Sequence, residues 1–267
     1  MDIQAQLNEV FEALHNKCAL IHHITNYVTV NDCANVVLAI GASPIMADEQ
    51  SEVEEMVGIC AALVLNIGTA NERTIVSMLK AGKAANAKGI PVVLDPVGVG
   101  ATPFRRQSVA KLMEAISFSV IRGNMAEIKT IAGLEAKSAG VDSLEEESDG
   151  AKIALNLAKK LGCVIAITGK IDIVSDGDST YALDNGDVAL TKLTGTGCMS
   201  SSLIGSFLGA SNHALASAIA GILTMSIAGE LADKSQGMGT FRTSLIDAIS
   251  QMDAKRIMSS AKIDFIK

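Results

Sequence analysis

The segment Thr194-Gly195-Thr196-Gly197-Cys198-Met199-Ser200 is the part of this chain best suited to hold an anion. It follows a group of turn signals and opens a long apolar, helix-forming stretch. Two glycines let the backbone approach a ligand closely. The free N–H groups of a helix start point at that ligand, and the helix dipole favours negative charge there. A phosphoryl group that gains charge in its transition state is stabilised by such donors. A tight strand-to-helix turn with no ligand uses the same residues, so the segment gains meaning only beside others.

Asn124-Met125-Ala126-Glu127 is a second candidate. If Arg122-Gly123-Asn124 ends a strand and opens a helix, Glu127 lies one turn in and faces the same crevice. Together with Asp95, two carboxylates suffice for Mg²⁺, which keeps several waters and uses few protein ligands. A carboxylate in the first helical turn also complements the dipole without any metal, and the spacing leaves both readings open. Cys198 falls in the first turn of its helix, where amide donors lower a thiol's pKa, so it is predicted to be partly thiolate near neutral pH. Cys18, Cys33, Cys60 and Cys163 have no such setting and read as packing residues. His22 and His23, adjacent in a strand, point opposite ways, and a shared metal site is not expected. Asn26 and Met46 could line an apolar pocket with one polar anchor, although loop capping and packing account for them equally well. Two better-known nucleotide motifs are missing: Gly169-Lys170 is followed by Ile171, not Ser or Thr, and neither Gly98-x-Gly100 nor Gly195-x-Gly197 is completed by a third glycine.

The elements that must position these residues alternate. Runs such as 62–67, 91–95, 119–121 and 164–167 are short and β-branched, and each leads through a polar or Gly-rich turn into a helical pattern, over about 71–87, 103–115 and 150–161. Continuous apolar strands alternating with helices imply a mostly parallel sheet covered on both faces, an α/β architecture. In such sheets ligands bind beyond the carboxyl ends of the strands. Asn66-Ile67-Gly68, Asp95-Pro96-Val97-Gly98, Arg122-Gly123-Asn124 and Thr168-Gly169 all fall there. Asp172-Ile173-Val174, Thr180-Tyr181-Ala182-Leu183 and Val188-Ala189-Leu190, separated by Asp-Gly and Asn-Gly, are predicted as hairpin strands at one edge. The C-terminal third reads as helical, and the polar stretch 143–150 as a surface loop or helix start. No linker or internal repeat divides the chain, so residues 1–267 are expected to form one domain.

Bulk properties narrow the function. Of 267 residues, 49% are hydrophobic and only 3% aromatic, so aliphatic side chains must fill a large core. The net charge of −7 argues against nucleic acid or anionic membrane as partner, since both require clustered Lys and Arg. Five cysteines without a C-x-x-C pair fit a reducing, cytoplasmic setting. The acidic, amphipathic N-terminus does not read as a signal peptide. The uncharged run 214–229 is shorter than a spanning helix needs and reads as a buried helix.

The segments ITNYVTVNDCANVVLAIGASPIMA, ALVLNIGT, VVLDPVGVGATPFR, IRGNMAEI, VIAITGKID and LTGTGCMSS, in this order and spacing from about Leu20 to Phe241, resemble those of the hydroxyethylthiazole kinases. The resemblance implies a ribokinase-like fold without a lid domain. It implies a homotrimer with active sites between subunits, and transfer of the ATP γ-phosphate to the primary hydroxyl of 4-methyl-5-(2-hydroxyethyl)thiazole in thiamine precursor salvage. By the same resemblance Asp95 and Glu127 match the Mg²⁺-linked acids, and Arg122, Thr168 and Asn124 the ATP-binding positions. Gly195 and Gly197 match the anion hole, and Asn26, Val28, Met46 and Gly195 the thiazole pocket. Cys198 stands where relatives such as ribokinase have a catalytic aspartate. A thiol is a poorer base near neutral pH unless its pKa is lowered, while positioning and charge stabilisation can supply most of phosphoryl transfer. Hydroxymethylpyrimidine or pyridoxal kinases and an ATP-dependent dehydratase of hydrated NAD(P)H share this scaffold but favour aspartate at that position. A sensor without catalysis has no need of Asp95, Glu127 and the glycine turn.

Overall fold

The computed structural model of the protein describes residues 2–134, 143–211 and 213–267, with backbone alone over 143–148. Its strands are β1 (Leu20–Ile24), β2 (Ser43–Met46), β3 (Ala62–Asn66), β4 (Val92–Asp95), β5 (Val120–Asn124), β6 (Val164–Thr168), β7 (Asp172–Ser175), β8 (Thr180–Leu183) and β9 (Ile263–Phe265). All belong to one sheet in the order β2-β1-β3-β4-β5-β6-β7-β8-β9. The first six strands of that order are mutually parallel, and β7, β8 and β9 continue antiparallel.

Alternation along the buried strands divides the core. Val64, Val93, Val120, Val164 and Ala166 face one side. There they meet α1 (Ile3–Asn16), α2 (Val30–Ala39), α8 (Thr196–Ala210), α9 (Ala214–Leu231), α10 (Met238–Ser250) and α11 (Ala254–Ser260). Leu63, Leu65, Leu94, Ile121, Ile165 and Ile167 face the other. That side is covered by α3 (Val53–Gly58), α4 (Glu72–Ala87), α5 (Pro103–Ala115), α6 (Met125–Ile131) and α7 (Ser143–Leu161). The parallel sheet read from the sequence is therefore present, with helices on both faces. Each fully buried Leu or Ile contributes about 1.5–3 kcal/mol, so this aliphatic core does without tryptophan.

Helix α9 is apolar and long enough to cross a bilayer by length and composition, yet 78% of its residues are buried inside the protein. It packs so closely that a Cβ at Gly221 would lie 2.6 Å from the Ile204 nitrogen of α8. Its lack of charge thus follows from a central place in the helical layer. Two expectations need correction. Residues Val188–Lys192 form a 3-10 turn, not a strand, with the Asp187 carboxylate capping the Ala189 N–H. The third antiparallel strand is instead Ile263–Phe265, so the C-terminal third is not wholly helical. Helix α7 begins at Ser143, so the polar stretch 143–150 takes the helix-start reading and not the loop; the side chains of 143–148 lie outside the described residues.

Candidate active site

Parallel register brings the strand ends level. Asn66 pairs with Asp95 across β3 and β4, and Asn124 with Thr168 across β5 and β6. Above these ends α8 begins. Its N-cap, Gly195, has φ +87°, and a Cβ there would sit 2.3 Å from Thr29 Cγ2. Left-handed backbone and close approach both demand glycine. The N–H groups of Thr196, Gly197 and Cys198 lie in the first turn, where no intrahelical acceptor exists.

The Arg122 guanidinium lies directly against Gly197, where a Cβ would be 2.5 Å from Nη1. Arg122 Nη2 donates to the Thr168 hydroxyl, and Nη1 is 3.7 Å from Asp95 Oδ2. The arginine side chain is only 11% exposed, and its Nε is buried without a partner. A buried cation, a hydroxyl and the first amides of a helix thus converge on one place. Burial pushes the Asp95 carboxyl up to about 6, opposed by Arg122 and reinforced by Glu127. Asp95 Oδ2 accepts from Asn66 Nδ2 at 2.9 Å and Ser201 Oγ at 2.8 Å, while Oδ1 is buried and unpartnered.

Glu127 does not stand free in the crevice. Its Oε2 accepts from Asn124 N at 2.8 Å, and the Asn124 side chain accepts from Glu127 N at 2.9 Å, forming a capping box. Oε1 accepts from Gly98 N at 2.8 Å and ties the turn after β4 to α6. Both readings of Glu127 are therefore realised in part: it caps its helix and lies close enough to Asp95 to raise that carboxyl. The Asn124 side chain is committed to the same cap and is no free ligand for a nucleotide.

Cys198 corrects an expectation. Its thiol is pushed up, not down, first by burial and then by the Asp95 carboxylate. The helix-start field is outweighed by desolvation, so the group is a neutral thiol near pH 7. Asn26 Nδ2 donates to Cys198 Sγ at 3.3 Å. Asn26 is itself buried, and its Oδ1 accepts from the Thr29 N–H and hydroxyl at 3.1 and 3.0 Å. Asn26, Asp95, Arg122, Thr168, Gly195, Gly197 and Cys198 therefore gather in one crevice, with Glu127 at its border. Val28 does not: it is 57% exposed beside Tyr27 at 77%. Met46 is half-buried at the end of the outermost strand β2. The two histidines are in the sheet's interior: His22 meets the Ala47 carbonyl at 2.7 Å and His23 the Ser202 hydroxyl at 3.1 Å, and burial pushes His23 down to about 4.

Three residues of the site were given no role by the sequence. Asn66 stands between Asp95 and Asn26, with Nδ2 on the carboxylate and Oδ1 accepting from Asn26 Nδ2 at 3.1 Å. Arg105 donates to the carbonyls of Ile67, Val97 and Gly68 at 2.9, 2.6 and 2.7 Å, clamping the turns after β3 and β4. Asp172 is buried, accepts from Gly169 N at 2.9 Å, and is pushed up to about 6 by burial, with Gly169 and Arg122 opposing. Asn66 was marked by the sequence as a polar residue ending an apolar strand, but its partners were not. Nothing in local spacing marks Arg105 or Asp172.

Comparison with known proteins shows the family and the fold. The model of the hydroxyethylthiazole kinase family matches residues 11–255. A hydroxyethylthiazole kinase of Alkaliphilus oremlandii is 53% identical over 271 aligned positions, covering 100% of both chains, and one of Clostridium beijerinckii is 49% identical, covering 98% of each. Among solved structures, a hydroxyethylthiazole kinase protein of Pyrococcus horikoshii superposes with a TM-score of 0.90 at 34% identity, covering 98% of this chain and 100% of its own. A pyridoxal kinase of Staphylococcus aureus, at 14% identity and TM-score 0.66 over 92% of this chain and 98% of its own, shares the fold.

Proposed function

The chain belongs to the hydroxyethylthiazole kinase family, and from that premise we propose how the residues gathered at the strand ends carry its reaction. The protein is an ATP-dependent kinase that phosphorylates the hydroxyl of hydroxyethylthiazole, a step of thiamine precursor salvage. Arg122 and Thr168 bind the nucleotide phosphates, with Asn124 beside them. The first amides of α8, exposed by Gly195 and Gly197, receive the charge that builds on the transferring phosphoryl group. Asn26, Met46 and Gly195 line the thiazole pocket and direct the hydroxyl toward that group, and Val28, exposed in the single chain, completes it across the subunit boundary. Cys198, neutral, orients the hydroxyl through a weak hydrogen bond to sulfur and does not need to remove its proton early. Phosphoryl transfer through a loose transition state depends mainly on positioning and electrostatics.

Mg²⁺ would be held by Asp95 and Glu127 through water, and when bound it neutralises phosphate charge. Asp95 fits that role, since a buried carboxylate oxygen without a partner invites a ligand. Glu127 has both oxygens on backbone N–H groups and fits an outer position. Among the described residues no group of three metal-binding side chains stands together. The chain works as one domain within a homotrimer whose sites lie between subunits. Exposed Tyr27 and Val28, on the loop that follows β1 next to the outermost strand β2, support this. The cytoplasm is the fitting compartment for five unpaired cysteines.

The observation that most supports the reading is Arg122 packed against Gly197, a buried cation on an anion-binding helix start. The test is ADP release with hydroxyethylthiazole, hydroxymethylpyrimidine, pyridoxal and hydrated NADH, run on size-resolved fractions over a Mg²⁺ titration. We expect turnover with the thiazole alone, in the trimer fraction. Asp95→Asn and Glu127→Gln should sharply reduce turnover in folded protein. Full specific activity in a monomer, or both variants unchanged at limiting Mg²⁺, would remove the corresponding assignment.

A further inference from the structure

We propose that Asn66 is a positioning residue that joins the two halves of the site, setting Asp95 on the phosphate side and Asn26 on the acceptor side through one carboxamide. This rests on the roles given above to Asp95 and Asn26. Asn66 ends β3, is 2% exposed, and is paired in register with Asp95. The orientation of its amide follows from its neighbours. Gly68 N lies 2.8 Å from Oδ1, and a backbone N–H can only donate, so that atom must be oxygen. The amide nitrogen must then face Asp95 Oδ2, 2.9 Å away. Asn26 is fixed by the same logic. Its Oδ1 takes the Thr29 N–H, so its Nδ2 faces Asn66 Oδ1 at 3.1 Å and Cys198 Sγ at 3.3 Å.

The result is a directional chain in which Asn26 donates to Cys198 and Asn66, and Asn66 donates to Asp95. It spans four chain segments that are remote in sequence. Ser201 adds a second donor to the same Asp95 oxygen at 2.8 Å, so Oδ2 is committed to the protein and Oδ1 is left free. Only asparagine meets these demands at position 66: aspartate lacks the donor toward Asp95, and leucine, of similar shape, lacks both donor and acceptor.

Substitutions can separate the two arms. Asn66→Asp keeps an acceptor for Gly68 and Asn26 but replaces the N–H toward Asp95 with a second carboxyl 2.9 Å away, so the two acids repel or share a proton and Asp95 loses its fixed neutral donor. Asn66→Ala loses both, and Ser201→Ala removes only the second donor to Asp95. Hydroxyethylthiazole binding is measured by calorimetry without nucleotide, and kcat and KM with ATP, after thermal melts establish that each variant is folded. For Asn66→Asp we expect kcat to fall roughly 10-fold or more, the loss of one buried hydrogen bond to a charged group, with thiazole affinity within about threefold of the parent. Asn66→Ala should lose about tenfold in thiazole affinity as well, and Ser201→Ala should move kcat alone. If Asn66→Ala does not fold, the aspartate and serine-site variants still decide the matter. Asn66 variants that match the parent in both readouts, while Asp95→Asn and Asn26→Ala are impaired, overturn the proposal. So does Asn66→Asp that loses thiazole affinity with kcat unchanged. Asp95→Asn and Asn26→Ala that are themselves unimpaired would instead remove the roles on which it rests.

Discussion

Gly197 offers the sharpest test of the anion-binding reading. A methyl group there would meet Arg122 Nη1 at 2.5 Å, Nη2 at 2.8 Å and Cζ at 3.0 Å, where ordinary contact begins at 3.4 Å. The guanidinium must therefore withdraw by roughly 1 Å, and a displacement of that size at a reacting centre costs about 100-fold in rate. Arg122 has little freedom to withdraw, because it is held by Thr168 and Asp95 and is 11% exposed. Gly197→Ala should thus lower kcat/KM about 100-fold with modest loss of stability, and Gly197→Val more than that. Gly239→Ala is the control: that glycine lies in the first turn of α10 with nothing within 4 Å of the added carbon, so activity should not change. Arg122→Lys makes the assignment specific. A slimmer cation leaves space for the methyl, so Gly197→Ala should cost much less in that background, a non-additivity read by a double-mutant cycle. Steady-state kinetics and thermal melts on these five variants suffice. An alanine variant within twofold of the parent, or a cycle that is additive, would refute the idea that Arg122 and the helix start act on one phosphate.

Three further outcomes follow from the carboxylates and the thiol. Cys198→Ala should retain catalysis well above background, losing less than the roughly 100-fold or more that removal of a general base costs; a dead variant would require a covalent or substrate-binding role for the sulfur. Cys198→Asp should at least match the parent above neutral pH, with its acid limb displaced upward because the new carboxyl is buried beside Asp95, and a profile identical to the parent's would contradict this. For Asp172, the folded pKa is raised to about 6 from 3.8, so the native state holds a proton that the unfolded chain has released. Stability is therefore lost as pH rises from about 4 to about 6, by roughly 3 kcal/mol at most. Asp172→Asn should flatten that part of the urea-midpoint profile while keeping the acceptor for Gly169, and an unchanged slope would count against the buried carboxyl.

What the sequence revealed and what it hid divide on physical grounds. The strand ends and the turn at 194–200 were legible because glycine spacing and β-branched runs are local signals, and parallel sheets bring such ends together wherever they lie in the chain. The edge strand Ile263–Phe265 was hidden because its partner, Thr180–Leu183, is about eighty residues away and three residues carry no pattern. Val188–Leu190 misled because its apolar residues follow a hairpin-like turn signal, while Asp187 caps them into a 3-10 turn. Asn66 and Arg105 were visible as letters but not as parts, since their partners come from other segments. Cys198 is the most instructive. Its position at a helix start was read correctly, and the inference from it failed because a field of less than one unit charge competes with burial and a neighbouring carboxylate. The same competition acts on Asp95 and Asp172, both raised although a guanidinium stands near each. In this crevice desolvation is the largest cause of each of these shifts. A neutral thiol and negatively charged carboxylates cannot stabilise a transferring phosphate, so among the protein's own groups that burden falls on Arg122 and the first amides of α8. Those two features meet at Gly197, which is why a single methyl group there should matter more than the loss of the thiol.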